Sequence, residues 1–199
     1  MASNLSDILV QIDNGHGSDT PGKRSPLWPD GTQIFEWSFN RKIASMVDLG
    51  LKRYKIRTAI LVPETTDVPL YLRTARSNRL TLKNKSILIS IHANAGGGTG
   101  AEVWTSVGQT KSDDLATIWF NVAQSKSDKL WGMRKDMSDG DPDKEEQFWM
   151  LTKTACPAIL TENGFMDNKH DCEKMLDPYY QKMIADIHVE AVLAYIGKK

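Results

Sequence analysis

Four short runs of aliphatic and β-branched residues, Ile8–Ile12, Thr58–Val62, Ile87–Ile91 and Ala158–Thr161, limit how this chain can fold. Each is bounded by turn-formers or charges and is close to apolar on both alternating faces. Strands of that kind need cover on both sides, which is the condition of a parallel sheet between helices. A weaker fifth run, Ala101–Thr105, follows the turn Gly96-Gly97-Gly98-Thr99-Gly100. Helical patterns lie between the runs. Phe39, Ile43, Met46, Val47, Leu51 and Tyr54 recur every three to four residues, and so do Leu115, Ile118, Trp119 and Val122. Met183, Ile184, Ile187, Val192 and Tyr195 mark a C-terminal helix opened by Asp177-Pro178, an acidic cap with proline in the first turn. Strands alternating with helices predict an α/β fold with a largely parallel sheet covered on both faces. No repeat, linker or composition break interrupts the pattern, so residues 1–199 are expected to form one domain.

Charge narrows the partners. Lys+Arg 25 balance Asp+Glu 25, so the net charge is zero and nothing draws the chain toward nucleic acid or an anionic membrane. No apolar run reaches the ~18–20 residues of a membrane span. Residues 1–7 show neither a basic segment nor an apolar one, so no secretory signal is read there. The expectation is a monomer made in the cytoplasm, without membrane insertion. Two cysteines, Cys156 and Cys172, stand outside any CxxC and are expected as reduced thiols. Two long irregular stretches, Asn14–Phe35 and Lys135–Glu146, are expected to form functional rims or flaps.

The candidate chemistry lies where the apolar runs end, because ligands collect at the carboxyl ends of strands in α/β sheets. Asp13-Asn14-Gly15-His16-Gly17 puts a histidine between two glycines just past the first run, and the glycines are expected to supply the backbone freedom that aims the ring. Ser90-Ile91-His92-Ala93-Asn94-Ala95 repeats the arrangement on the third run. Two neutral imidazoles converging at one sheet edge suit a borderline metal such as zinc, and Glu36, opening the first helix after a long loop, is the expected third ligand. A carboxylate in the first turn of a helix also suits the helix dipole. Glu162 follows the last apolar run, where an unpaired buried carboxylate would be costly. It is expected to face the same crevice and take a proton from a water activated by the metal.

Other polar residues are given structural readings. His188 falls within the C-terminal helix and His170 lacks strand-end context. Asp139-Gly140-Asp141-Pro142-Asp143 has the look of a calcium loop, but an EF-hand starting at Asp139 would need glycine at Lys144 and glutamate at Met150. A solvated acidic loop is therefore expected there.

Together these segments resemble the zinc-dependent N-acetylmuramoyl-L-alanine amidases of the type 3 amidase family. The resemblance rests on Ile12-Asp13-Asn14-Gly15-His16-Gly17, Glu36, Ser90–Ala95 and Pro157–Asn168, in that order. Leu72-Arg73 with Asn78, Gly100–Trp104 and Phe148–Leu151 add lesser matches. It implies a single α/β domain with a mixed, mainly parallel sheet flanked by helices, with His16, Glu36 and His92 as zinc ligands and Glu162 as catalytic carboxylate. It implies peptidoglycan as substrate, cut between N-acetylmuramic acid and L-alanine. Asn94 is expected to donate to substrate or intermediate. Asn14 stands where the family usually has proline, and Asn163 where a small hydroxyl residue is usual. With no wall-binding module or signal peptide recognised, a phage or prophage endolysin is expected. A zinc peptidase acting within the stem peptide and a non-catalytic wall-binding protein of the same fold are the alternatives.

Overall fold

The computed structural model describes residues 7–126 and 132–197. The leader reading of residues 1–6 and the outer ends of the expected 1–199 domain lie outside the described residues. Strands β1 (Ile8–Asn14), β2 (Arg57–Ile60), β3 (Lys85–Asn94), β4 (Ala101–Thr105), β5 (Lys144–Glu145) and β6 (Ala158–Phe165) form one sheet in the order β2-β1-β3-β6-β4-β5. β1 is parallel to β2 and β3, β3 to β6, and β4 to β5, while β4 runs antiparallel to β6. The sheet is thus mixed and mainly parallel, as expected.

Helices α1 (Glu36–Arg53), α3 (Lys111–Gln124), α5 (Lys169–Leu176) and α6 (Pro178–Gly197) cover one face. Ile87, Ile89 and Ile91 of β3 point into that layer with Val10 and Ile12 of β1. Leu88, Ala158 and Leu160 point the other way, into a smaller core shared with Met150 and Leu151 of the short helix α4 (Trp149–Thr152) and the partly buried Leu80 of α2 (Leu70–Thr81). This two-sided burial is why the strand runs are apolar at nearly every position. The helix ends follow local chemistry. Thr110 caps α3 in a reciprocal capping box with Asp113. Asn168 caps α5 through bonds from His170 N and Asp171 N. Asp177 accepts from Tyr179 N ahead of Pro178, as the Asp-Pro signal predicts.

Two boundaries move. The second strand ends at Ile60 and not Val62: Leu61 N still donates to Ile12 O, and the chain then turns so that Leu61 and Val62 enter the smaller core. β3 and β6 run on past Ile91 and Thr161, so His92 and Glu162 sit within strands, paired side by side in register. A bulge follows, between His92 and Asn94, where Gly164 takes a φ of 100°.

His188 is a core histidine, as its helical context suggests. Its Nδ1 lies 2.8 Å from Ile184 O, and its Nε2 is 3.0 Å from Thr161 Oγ1. The carbonyl can only accept, so Nδ1 carries the proton and Nε2 accepts from the threonine hydroxyl. Burial pushes its pKa down to about 4, against a weaker opposing effect of the Ile184 carbonyl. The unfolded chain, titrating near 6.5, binds more protons than the fold between those two values. Stability is therefore full above pH ~6.5 and falls by about 3 kcal/mol as pH drops toward 4. Urea denaturation of metal-free protein at pH 7 and 4.5 should show that loss. His188→Gln should be less stable at pH 7 and lose less on acidification.

Candidate metal centre and active site

Three elements deliver their side chains to one point at the carboxyl edge of β1 and β3. His16 lies two residues beyond β1, His92 within β3 and Glu36 at the first position of α1. Glu36 Oε1 is 3.3 Å from His16 Nε2 and 3.1 Å from His92 Nδ1. One ligand atom from each residue lies within 4.8 Å of the others, and among the described residues this is the one such His/Cys/Asp/Glu group. The rings meet edge to face, 5.0 Å between centroids at 88°. Glu36 is 1% exposed, while His16 and His92 keep 18% and 15% of their side chains open to solvent. The centre therefore has a buried back and an open front.

The turn that aims His16 differs from expectation. The positive φ falls on His16 itself, at 64°, and not on its glycines. Histidine tolerates that region better than most residues. Gly15 and Gly17 serve by lacking a side chain: a Cβ on Gly15 would lie 2.1 Å from His92 Cε1, and one on Gly17 would lie 2.0 Å from Asp67 N. α1 ties the turn down, Asn40 Nδ2 donating to Gly15 O and Arg41 to His16 O. Asn14, in the usual place of proline, donates its amide to Val62 O.

The electrostatics favour a cation. Burial works to raise the Glu36 pKa, but contacts with His16 and His92 outweigh it and hold the carboxyl well below the usual range. Burial works to lower the pKa of His92, yet Glu36 raises it. Both shifts favour positive charge between imidazoles and carboxylate. Glu36 Oε2 is buried without a hydrogen-bond donor, and Lys23 Nζ stands 4.0 Å away. Two imidazole nitrogens and a carboxylate with one oxygen orphaned fit a zinc ion by the chemistry of the donor set.

Glu162 stands beside His92 in the strand register, its Oε2 buried and without a donor. Burial pushes its carboxyl up to about 8, Glu36 and Glu102 adding to the rise and His92 and Lys23 opposing it. Asn163 leaves that carboxylate alone: its Nδ2 donates to His92 O, Thr161 O and Thr161 Oγ1. Asn94 Nδ2 donates one hydrogen to Glu102 Oε1 at 2.7 Å.

Residues given no role in the site by the sequence complete the setting. Asn40 touches Glu36 Oε1 at 3.3 Å and Ala93 N donates to the same oxygen. The signal for Asn40 was a polar residue four positions after Glu36, beside the apolar stripe. Below the site, the buried Arg73 bonds Asp13, Asn14 O, Asp67 and Val68 O, while Ser90 donates to Asp13. Opposite Glu162 in the antiparallel register, Glu102 accepts from Asn94, Trp104, Arg134 and Lys144. Trp28 packs on the main core, and Trp149 lies on the surface. Cys156 and Cys172 are buried free thiols.

The chain matches known proteins along nearly its whole length. An endolysin of Bacillus phage SPP1 is 29% identical over 195 residues, covering 96% of this chain and 67% of that protein. The N-acetylmuramoyl-L-alanine amidase CwlM of Bacillus licheniformis is 29% identical over 187 residues, covering 93% of this chain and 67% of its own. The crystal structure of an N-acetylmuramoyl-L-alanine amidase from Clostridium difficile 630 superposes with a TM-score of 0.83 at 27% identity, covering 98% of this chain and 99% of that one. The Amidase_3 family model, described as N-acetylmuramoyl-L-alanine amidase, matches residues 10–194, and this chain belongs to that family.

Proposed function

We propose that this chain hydrolyses the amide joining the lactyl group of N-acetylmuramic acid to L-alanine in peptidoglycan, with zinc held by His16, Glu36 and His92. The observation that carries the reading is the meeting of these three side chains beside a buried, donor-free Glu162, in a chain of the amidase family. The chemistry zinc supplies when bound is Lewis-acid polarisation of the scissile carbonyl and acidification of the attacking water.

The protein supplies the rest. Glu162 takes a proton from water at its carboxylate as the oxygen adds to the carbonyl carbon, then gives it to the L-alanine nitrogen as the carbon–nitrogen bond breaks. Its raised affinity for a proton suits a group that must hold one between the two steps. Asn40 and Ala93 N fix the orientation of Glu36. Arg134 and Lys144 balance the charge of Glu102, which would otherwise stand bare beside Glu162.

We read the biological role as wall lysis of the endolysin kind, supported by the likeness to the SPP1 phage endolysin. Among the described residues no helix is long and apolar enough to cross a membrane. The test is clearing of a purified-wall suspension. Chelation should stop it and about one equivalent of zinc should restore it. Full clearing by protein shown by elemental analysis to hold no metal would overturn the zinc assignment.

A further inference from the structure

Three polar side chains stand in a row on one face of the sheet, one from each of three adjacent strands. His92 pairs with Glu162 in the β3–β6 register, and Glu162 pairs with Glu102 in the β6–β4 register. Glu102 ends the row and is 2% exposed. Two cations reach its Oε2, Arg134 Nε at 2.7 Å and Lys144 Nζ at 3.0 Å, while Asn94 and Trp104 donate to its Oε1. One cation would balance one carboxylate, so the second is surplus at the groove wall.

Lys144 is held on two sides. Its ammonium bonds Glu102 and lies 4.5 Å from the centre of the Trp104 ring. Asp136, whose charge is felt by Lys144, accepts from Ser138 N. The loop that brings Lys144 in is anchored, and is not wholly the solvated segment its acids suggest. Asp143 is 2% exposed and accepts from Thr105 Oγ1 at 2.6 Å.

Arg134 is held as firmly but leaves its fork open. Its backbone N donates to Ala101 O, next to Glu102. Its guanidinium carbon lies 5.1 Å from the centre of the Phe165 ring. That ring is itself wedged in place, since a Cβ on Gly98 would stand 2.5 Å from it. Nε–H goes to Glu102, and no described residue accepts from Nη1 or Nη2, in a side chain 43% exposed. A planar guanidinium fixed by a carboxylate on one edge and a ring on one face is pre-organised to take a second carboxylate at its free edge.

The reach fits a peptide. Adjacent strands lie ~4.8 Å apart, so Glu102 stands about one spacing beyond Glu162, and Arg134 borders it. An extended peptide advances ~3.5 Å per residue. A chain leaving from Glu162 therefore comes level with Arg134 one or two residues after its first. We propose that Arg134 is a specificity-determining residue that binds a carboxylate of the departing peptide, carried one or two residues beyond the L-alanine. This role rests on the amidase reading and gives its groove a direction, with the peptide running from Glu162 toward β4.

The experiment uses the full zinc-loaded chain on two preparations of one purified wall. One is untreated, and the other has its peptide carboxylates converted to amides with carbodiimide and ammonia. Release of new amino termini from dilute wall gives the ratio of kcat/KM values. Wild type should cut the untreated wall about tenfold faster, the low end for a charged hydrogen-bonded pair because Arg134 is open to water. Arg134→Gln should bring the ratio near one, and Arg134→Lys, with charge but no fork, should fall between. Glu102 keeps Asn94, Trp104 and Lys144 as donors in both, so fold and zinc content should hold. Lys182→Gln, removing a remote cation of α6 that is 66% exposed, should keep the tenfold ratio.

A wild type that cuts both walls equally well would overturn the proposal. So would an Arg134→Gln variant that slows both alike and keeps the ratio, since Arg134 would then only support Glu102. Loss of the ratio in Lys182→Gln would replace the local site with a general attraction of charge to wall. Failure to cut either wall with zinc bound is a different result, one that removes the amidase reading and this role with it.

Discussion

Glu162→Gln should cut turnover by ~10²–10⁴-fold, the usual worth of a positioned acid–base group, while zinc content stays at about one per chain. The substitution keeps the shape of a side chain that lies in a strand beside His92 and replaces only its ability to take a proton. Glu162 Oε2 has no hydrogen-bond donor, so the native fold spends no contact on that oxygen that glutamine must reproduce. Glutamine is uncharged beside Glu36 and Glu102, as the protonated carboxyl is, so the variant should fold about as well as the parent. Steady-state release of new amino termini from walls, with metal measured on the same sample, separates the effects. A variant retaining most of its turnover would show that the proton is carried by another group.

His92→Ala should fail differently. It removes one of three ligand atoms, and it removes the ring against which Gly15 packs and to which Glu36 is bonded. Loss of a supporting contact around a metal ligand costs about 10–100-fold in affinity, so loss of a ligand itself should exceed 100-fold. The purified variant should carry well under one zinc per chain and show no wall cleavage. Its fold should survive, because the β1–β3 ladder and the layer of Ile87, Ile89 and Ile91 are untouched. Circular dichroism with elemental analysis would check both points. Wild-type zinc content in His92→Ala would remove this residue from the ligand set. The two variants thus divide the centre: one keeps metal and loses chemistry, the other loses both.

The sequence was most legible where burial alone chose the residues. The β1, β3 and β6 runs were visible because both faces of the sheet are covered. They were cut short at Ile91 and Thr161 for an informative reason. Beyond those points the strands line an open crevice, so polar side chains replace apolar ones while the backbone ladder continues. Helix α2 had no periodic signal of its own and was marked only by family resemblance. It buries Arg73, Thr74 and Ser77 and exposes Leu70, Tyr71 and Leu72, an inversion that hydrophobic spacing cannot find. Arg73 is buried because it answers Asp13, a long-range pairing invisible to local pattern. The meeting of His16, Glu36 and His92 could be inferred from strand ends, but two details could not. The left-handed backbone fell on histidine instead of glycine, and Asp143 was withdrawn from solvent by Thr105, 38 residues earlier.

Product identity bears most directly on the central claim, that this centre cuts between sugar and peptide. Purified peptidoglycan digested by the zinc-loaded protein, with chelated and Glu162→Gln controls, can be resolved by mass spectrometry into its fragments. Free stem peptides beginning at L-alanine, together with glycan strands bearing unsubstituted lactyl groups, are the expected products. Fragments cut within the stem would keep the metal chemistry and contradict the amidase bond. Intact walls of every chemotype, with zinc bound, would contradict catalysis itself.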